Sequence, residues 1–481
     1  MAVSNSSLSR GSDTGRKKQL LFFFLAEAII LSLFLLGQSA GLGLVATALL
    51  VAPFQIAAWA IMVKDEFILL MGFAALFPLS TFELLPYHYW RWVFYPVNLA
   101  LFLFIIATRF LFPDNSDQSN KGKICVSQWI LFVVFGAWVL ITSIHALLSS
   151  LAVQKGALIE YTMLALIMIG VIFFFALVPR DFRQIKILIS ILVGSYIVTA
   201  PFLSFLKVLS LESLGGKTML APFGGYVNMN AVAVHVTVAT LFLLGLVIGV
   251  KNLAGKLLGF LGVFILLSVL IITRSRGAWL GFALGLFYLL MRTRSKILLV
   301  ITIIGLMLVF SMDLLRGAFL SRIGQTSWRD PSLAGRAILW HYALVVFKNN
   351  WFWGVGIENY RFVKHLYGFP APWSSATQFN THNIFLEILV DLGVFGLILF
   401  LGILLSAFIS VERSLKVSLP ENDFMGIASG VNAGLIAYAV HGLWDCLIWQ
   451  HGAFILLGII LGLGLSIRRT AHCFQVPRTR N

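Results

Sequence analysis

Long apolar runs separated by short polar breaks make up most of this chain, and a run of roughly 17–25 residues is enough for a helix to cross a bilayer. Such runs fall at residues 20–36, 41–63, 67–86, 93–112, 128–147, 157–178, 187–206, 230–250, 257–273, 277–291, 297–312, 383–408, 424–443 and 451–467. The pattern predicts an all-α, polytopic helical membrane protein of about 12–14 transmembrane helices, the short runs such as 277–291 setting the spread in that count. Run 20–36 is longer than a signal-peptide core and puts Gln38 where a small cleavage-site residue is needed, so it reads as an uncleaved anchor.

One polar break is much longer than the others and divides the chain. The expected division is a disordered basic cytoplasmic tail at 1–19, N-terminal transmembrane helices at 20–312, a large periplasmic loop at 313–381, C-terminal transmembrane helices at 382–467 and a cytoplasmic tail at 468–481. Between Gly335 and Lys348 the loop carries apolar residues at helical spacing, which predicts an amphipathic helix lying against the outer membrane surface. Trp351 and Trp353 suit an interfacial aromatic belt better than ligand stacking. Gly354 and Gly356 permit a tight backbone beside whatever binds.

Composition agrees with the pattern. Of 481 residues, 59% are hydrophobic, 11% are charged and 42 are Phe, which excludes an ordinary water-soluble domain. A net charge of +16 would suit a nucleic-acid partner, but the basic residues are scattered through short loops as topology determinants are, so no nucleic acid is expected. With the N-terminus inside, the positive-inside rule places Arg180, Arg183, Lys186, Lys251, Lys256, Arg292, Arg294, Lys296, Arg413, Lys416, Arg468 and Arg469 in the cytoplasm, together with both termini. Arg274 and Arg276 then fall on the outer face with the long loop. Cys125, Cys446 and Cys473 lack metal-ligand spacing, and only Cys446 faces outward, so no disulfide framework is expected.

The loop leads directly into His382-Asn383 at the mouth of an apolar run, with Glu387, Asp391 and Gly393 close behind. Charge inside a membrane helix is costly and often functional. A bland reading competes, in which His and Asn merely cap a helix at the interface. Glu387 and Asp391 share the helical face of His382, so either could orient its ring or make a structural hydrogen bond. His441 and Asp445 form a second polar pair near an outer end, and zinc there lacks a third ligand. Asn228 and Asn230 read as a cap or as donor-sugar contacts, and His235 as a packed side chain.

Four stretches carry a family resemblance: Gly225-Tyr-Val-Asn-Met-Asn230; Thr273-Arg274-Ser275-Arg276-Gly277-Ala-Trp279; Gly335-Arg336 to Trp340, followed by Gly354-Val-Gly356 and Asn359; and His382-Asn383 with Gly393 and Gly396 beyond. Together they resemble the O-antigen ligase and polymerase family of bacterial membrane glycosyltransferases. The resemblance implies transfer of a glycan from an undecaprenyl-pyrophosphate carrier to a lipid or glycan acceptor hydroxyl, on the outer face of the bacterial cytoplasmic membrane. No cofactor and no obligatory metal are implied. By position His382 becomes the catalytic base, and Arg276 and Arg336 become the pyrophosphate contacts. Arg274, Asn383 and Asn230 are further candidate substrate contacts, although Arg274 serves equally as a snorkelling anchor. Where ligases are described with leucine four residues after the loop arginine, this chain has Trp340, which leaves ligase, polymerase and another member of the family all open.

The residue types fit that chemistry independently. Glycosyl transfer from a pyrophosphate needs a base for the acceptor proton and fixed positive charge at the leaving group. Neutral imidazole supplies the first, and a planar, permanently charged guanidinium the second. A carrier of a small anion such as inorganic carbon, known within the same superfamily, is the rival reading, since it too could use arginines in a membrane. It gives no reason for a long aromatic outer loop.

Overall fold

The computed structural model describes residues 66–81, 126–149, 151–210, 218–220, 226–312, 331–370, 379–417 and 422–473, together with 316–317 and 320. The expected spans 20–36, 41–63 and 93–112, the tail 1–19 and most of the loop before Pro331 lie outside these residues. In chain order, α1 is Glu66–Thr81, α2 Val126–Leu148, α3 Lys155–Leu177, α4 Phe182–Ser210, α5 Met229–Gly249, α6 Leu253–Ile272, α7 Arg276–Thr293, α8 Lys296–Ser311, α9 Pro331–Asn349, α10 Tyr360–Val363, α11 Ile384–Val417, α12 Asn422–Gly442 and α13 His451–Cys473. Strands β1 (Thr218–Leu220) and β2 (Tyr226–Asn228) pair antiparallel just before α5, a small departure from the all-helical expectation.

Among the described residues, eight helices are long and apolar enough to cross a membrane: α2 to α6 and α11 to α13. That is fewer than the 12–14 expected, partly because several expected runs lie outside the described residues. It also reflects α1 and α8, which are only 16 residues each, and α7, which carries an arginine near each end that lowers its mean hydropathy. The helix α13 runs to Cys473, past the membrane exit expected at residue 467.

The centre of the bundle is α5, apolar on every side and correspondingly buried all round. It packs against α4, α6, α7 and α12. The crossing with α12 is backbone-close: a methyl group added at Gly245 would stand 2.5 Å from the Gly426 carbonyl. This bundle holds the start of α7 and the end of α12 in fixed relation, and the site is built at those ends.

Around the site the longest helix, α11, is broken. Gly393 has φ 71 and ψ −177, a backbone conformation open essentially to glycine alone. The break takes carbonyls out of the helical ladder, and in lipid each unpaired one would cost several kcal/mol. Neighbours pair them instead: Val355 N–H donates to the Val390 carbonyl at 3.1 Å, Gly356 N–H to that of Asp391 at 2.8 Å, and the Trp138 indole to that of Leu392 at 2.8 Å. Across the same gap, Val394 N–H donates to the Trp351 carbonyl at 2.9 Å. The tight backbone at Gly354 and Gly356, expected beside a ligand, is thus pressed against α11. At Gly354 a methyl group would meet the Asp391 carbonyl at 2.2 Å.

The described part of the long loop has its own small core, in which Ala343, Val346, Val355, Tyr360 and Val363 pack with Val390 of α11. Tyr360 also donates its hydroxyl to the Leu339 carbonyl of α9 at 2.6 Å. Helix α9, predicted from periodicity, is therefore fastened over the start of α11. Trp353 stacks between Trp138 and His145 rather than lying alone at the surface.

Candidate active site

His382 lies in the turn that enters α11, with a left-handed backbone at φ 51. Non-glycine residues seldom adopt this conformation, and when they do the surroundings must hold it. Here they do so from several sides. Asn380 Oδ1 accepts from the His382 N–H at 3.0 Å, and Glu387 Oε2 accepts from the Thr381 N–H at 2.7 Å. The Trp340 indole donates to the Thr381 carbonyl at 2.8 Å, and the Lys364 ammonium to the Phe379 carbonyl.

The helix cap is Asn383. Its Oδ1 accepts from the N–H groups of Phe385 and Leu386, both at 3.0 Å. The capping role open to the His-Asn pair is thereby taken by the asparagine, whose side-chain oxygen is committed to the helix.

The His382 ring meets Asp445, 63 residues further on: Nδ1 lies 3.1 Å from Oδ1. The histidine side chain is 31% exposed and the aspartate 5%, so the imidazole stays partly accessible while the carboxylate is buried. Burial would raise the Asp445 carboxyl. The hydrogen bond from His382 and the electrostatic pull of His382, His441 and Arg336 outweigh it, and hold this group below the ordinary carboxylate range. An ionised carboxylate only accepts, so Nδ1 carries a ring proton toward Asp445, and in the neutral ring Nε2 is then the acceptor.

The expectation that Glu387 or Asp391 could orient this ring is not met. Glu387 accepts from the Thr381 N–H, and Asp391 accepts from the N–H groups of Glu358 and Tyr360. His441 and Asp445, read from sequence as a pair, each face a different partner, with His441 Nε2 3.3 Å from Ser275 Oγ. No local signal assigns Asp445 to His382, since the contact arises only when α11 and α12 pack.

The Ser275 contact brings the arginine motif to the same place. A methyl group at Gly277 would stand 3.0 Å from His441 Cδ2 and 3.2 Å from Trp444 Cβ, so the turn entering α7 is seated on the turn leaving α12. Arg274 is exposed there, with φ 55, and Arg276 is half-buried as the first residue of α7. Half-buried Arg336, on α9, is close enough for its charge to be felt at Asp445. His382, Asp445, His441, Ser275 and Arg336 thus form one group, flanked by Arg274 and Arg276. Asn230 lies in the first turn of α5, its N–H bonded to the Asn228 cap at 2.9 Å, and among the described residues no hydrogen bond joins it to this group.

Beneath the turn is a buried charge cluster that sequence reasoning did not assemble. Glu358, Glu387 and Cys446 each bring a potential metal-ligand atom within 4.8 Å of the others. Burial, with Glu387 adding to it, pushes the Glu358 carboxyl up to about 8, and burial pushes the Lys364 ammonium down to about 8. The Cys446 thiol is pushed well up by burial and the surrounding carboxylates, which disfavours the thiolate a metal would need. Arg361 and Lys364 already supply positive charge to the carboxylates. The cluster therefore reads as a buried charge network and not as a metal centre. His235 is packed, as expected, between Phe77 and Tyr196.

Residues 261–401 match the O-antigen ligase family. That stretch contains Arg274, Arg276, Arg336, His382 and Asn383, and excludes Asn230 and Asp445. A segment of 172 residues is 30% identical to the exopolysaccharide production protein ExoQ of Rhizobium meliloti (strain 1021), covering 34% of this chain and 37% of that protein.

Proposed function

We propose that this chain transfers a glycan from an undecaprenyl-pyrophosphate carrier to a lipid or glycan hydroxyl on the outer face of the bacterial cytoplasmic membrane, as an O-antigen ligase or polysaccharide polymerase does. The observation that carries the proposal is the His382–Asp445 contact within electrostatic reach of Arg336. The family match over 261–401 and the similarity to an exopolysaccharide production protein support the substrate class.

Each bond has a group to serve it. Nε2 of His382 takes the acceptor O–H proton, and the freed oxygen bonds to the anomeric carbon of the donor sugar. The bond from that carbon to the diphosphate breaks, and its electron pair leaves with undecaprenyl pyrophosphate. Arg336 and Arg276 bind the diphosphate and offset the charge that develops on it, with Arg274 as a third candidate contact. Asp445 keeps the imidazole in the required tautomer and stabilises it once protonated, a division of labour known from serine proteases.

The test is His382→Asn in purified protein supplied with lipid-linked donor. Asparagine tolerates a left-handed backbone, so the turn is kept while the base is lost. Turnover should fall roughly a hundredfold to ten-thousandfold, the usual range for general-base catalysis, with donor binding preserved. Retention of most of the transfer activity would overturn the assignment.

A further inference from the structure

Arg336 and Trp340 stand one turn apart on α9, so they share a face of that helix. Arg336 is felt electrostatically at Asp445, and the Trp340 indole donates to the Thr381 carbonyl at 2.8 Å, one residue before His382. Thr381 is fully buried. Its N–H and its side-chain hydroxyl are already engaged, with Glu387 and with the Asn383 carbonyl. The indole is what satisfies its remaining backbone group. Without that donor a buried carbonyl would be left unpaired, and the left-handed turn at His382 would lose one of the few bonds that hold it.

From this geometry we infer that Trp340 is a positioning residue: its N–H locks the His382 turn to the helix that carries Arg336, so that the base and a phosphate-binding arginine are held in one register. The inference rests on the transfer reading above and adds a residue to it. Trp340 touches neither donor nor acceptor in this role. It acts on where the His382 ring stands, and its effect belongs in turnover rather than in donor affinity. Helix α9 keeps other anchors, the Tyr360 hydroxyl on Leu339 and the packing of Ala343 and Val346, so Arg336 stays in place when the indole N–H is removed.

The test uses the full chain in lipid nanodiscs with two variants. Trp340→Phe keeps an aromatic ring, and replacement of Trp340 by benzothienylalanine keeps the bicyclic shape while exchanging only N–H for sulfur. Both should lower kcat about tenfold with donor KM nearly unchanged, in line with the loss of one buried hydrogen bond. Both should also speed amide hydrogen exchange at residues 381–383. Faster exchange with unchanged kcat, or a rise in KM alone, would overturn the positioning role, and unchanged exchange would overturn the lock itself. Absence of glycan transfer by the wild-type chain would instead overturn the transfer reading, and the exchange measurement tells the two failures apart because it reads the turn whatever reaction is catalysed.

Discussion

The carboxylate of Asp445 lies 3.1 Å from Nδ1 of His382, although the two stand in turns at the ends of different helices, His382 before α11 and Asp445 after α12. The pairing assigns the ring proton to Nδ1. Asp445→Asn would present an amide that can donate as well as accept, allowing the opposite tautomer. Transfer by this variant in the purified assay should drop by roughly a hundredfold or more at unchanged expression, following the precedent of orienting aspartates. Near-normal turnover would mean that the contact only holds α11 to α12.

The arginines separate by geometry rather than charge. Lysine in place of Arg276 or Arg336 keeps the positive charge and loses the planar fork that grips a diphosphate through two parallel bonds. Donor KM should rise by about tenfold in each variant, and more in the double variant. Wild-type kinetics in both single variants would reduce these side chains to membrane anchors.

Gly393 provides a test of the fold. A methyl group there would meet the Phe352 carbonyl at 2.0 Å in a backbone conformation other residues avoid. Gly393→Ala should therefore destabilise the detergent-solubilised protein by about 2 kcal/mol or more. Gly156, in helix α3 with nothing within 4 Å, is the control. Its replacement by alanine should be neutral or slightly stabilising. Similar melting temperatures for the two variants would contradict the described break.

The buried cluster predicts a pH dependence. Glu358, facing Glu387, Arg361, Lys364 and Cys446, is pushed from 4.5 up to about 8 in the folded chain. The native state therefore binds this proton more tightly than the unfolded state does. The resulting stabilisation is complete below about 4.5 and is lost as pH rises through about 8. Lys364, lowered from 10.5 to about 8, changes its contribution only above that window and does not oppose the trend. Melting temperature should fall between pH 5 and 8 in the wild type, and the fall should be shallower in Glu358→Gln. An identical slope in the two proteins would remove Glu358 as its source.

Orientation is directly measurable. The basic loops require a tag near Ser332 to report the outer side and tags after Lys18 and Asn481 to report the cytoplasm. A cytoplasmic Ser332 would put Arg336 on the wrong side for a lipid-linked donor exported across the membrane.

Apolar runs revealed the spans because lipid imposes one rule on every residue of a crossing helix, and α2 to α6 and α11 to α13 follow it. His382 drew attention because it stands polar at the mouth of an apolar run, whereas Arg336, in the long loop, was singled out only through the family resemblance. Asp445 was visible as a polar residue but not as the partner of His382, since its contact depends on how two distant helices meet. Gly354 and Gly356 announced a close approach without naming what approaches, and the answer is the backbone of α11 at Gly354 and the side chains of Ala146 and Leu158 at Gly356. Trp340 looked like a departure from a pattern, and only the fold gives its indole a carbonyl to bind.

The break at Gly393 also bears on how the protein is made. Among the described residues, the groups that pair its displaced carbonyls, at Trp138, Val355 and Gly356, precede Gly393 in the chain. When the broken segment leaves the ribosome its partners have already been synthesised, so its exposed backbone need not wait in lipid for a later segment. Synthesis in the reverse direction would present the gap before anything existed to close it. The position of the break thus lets α11 close onto partners that have already been made.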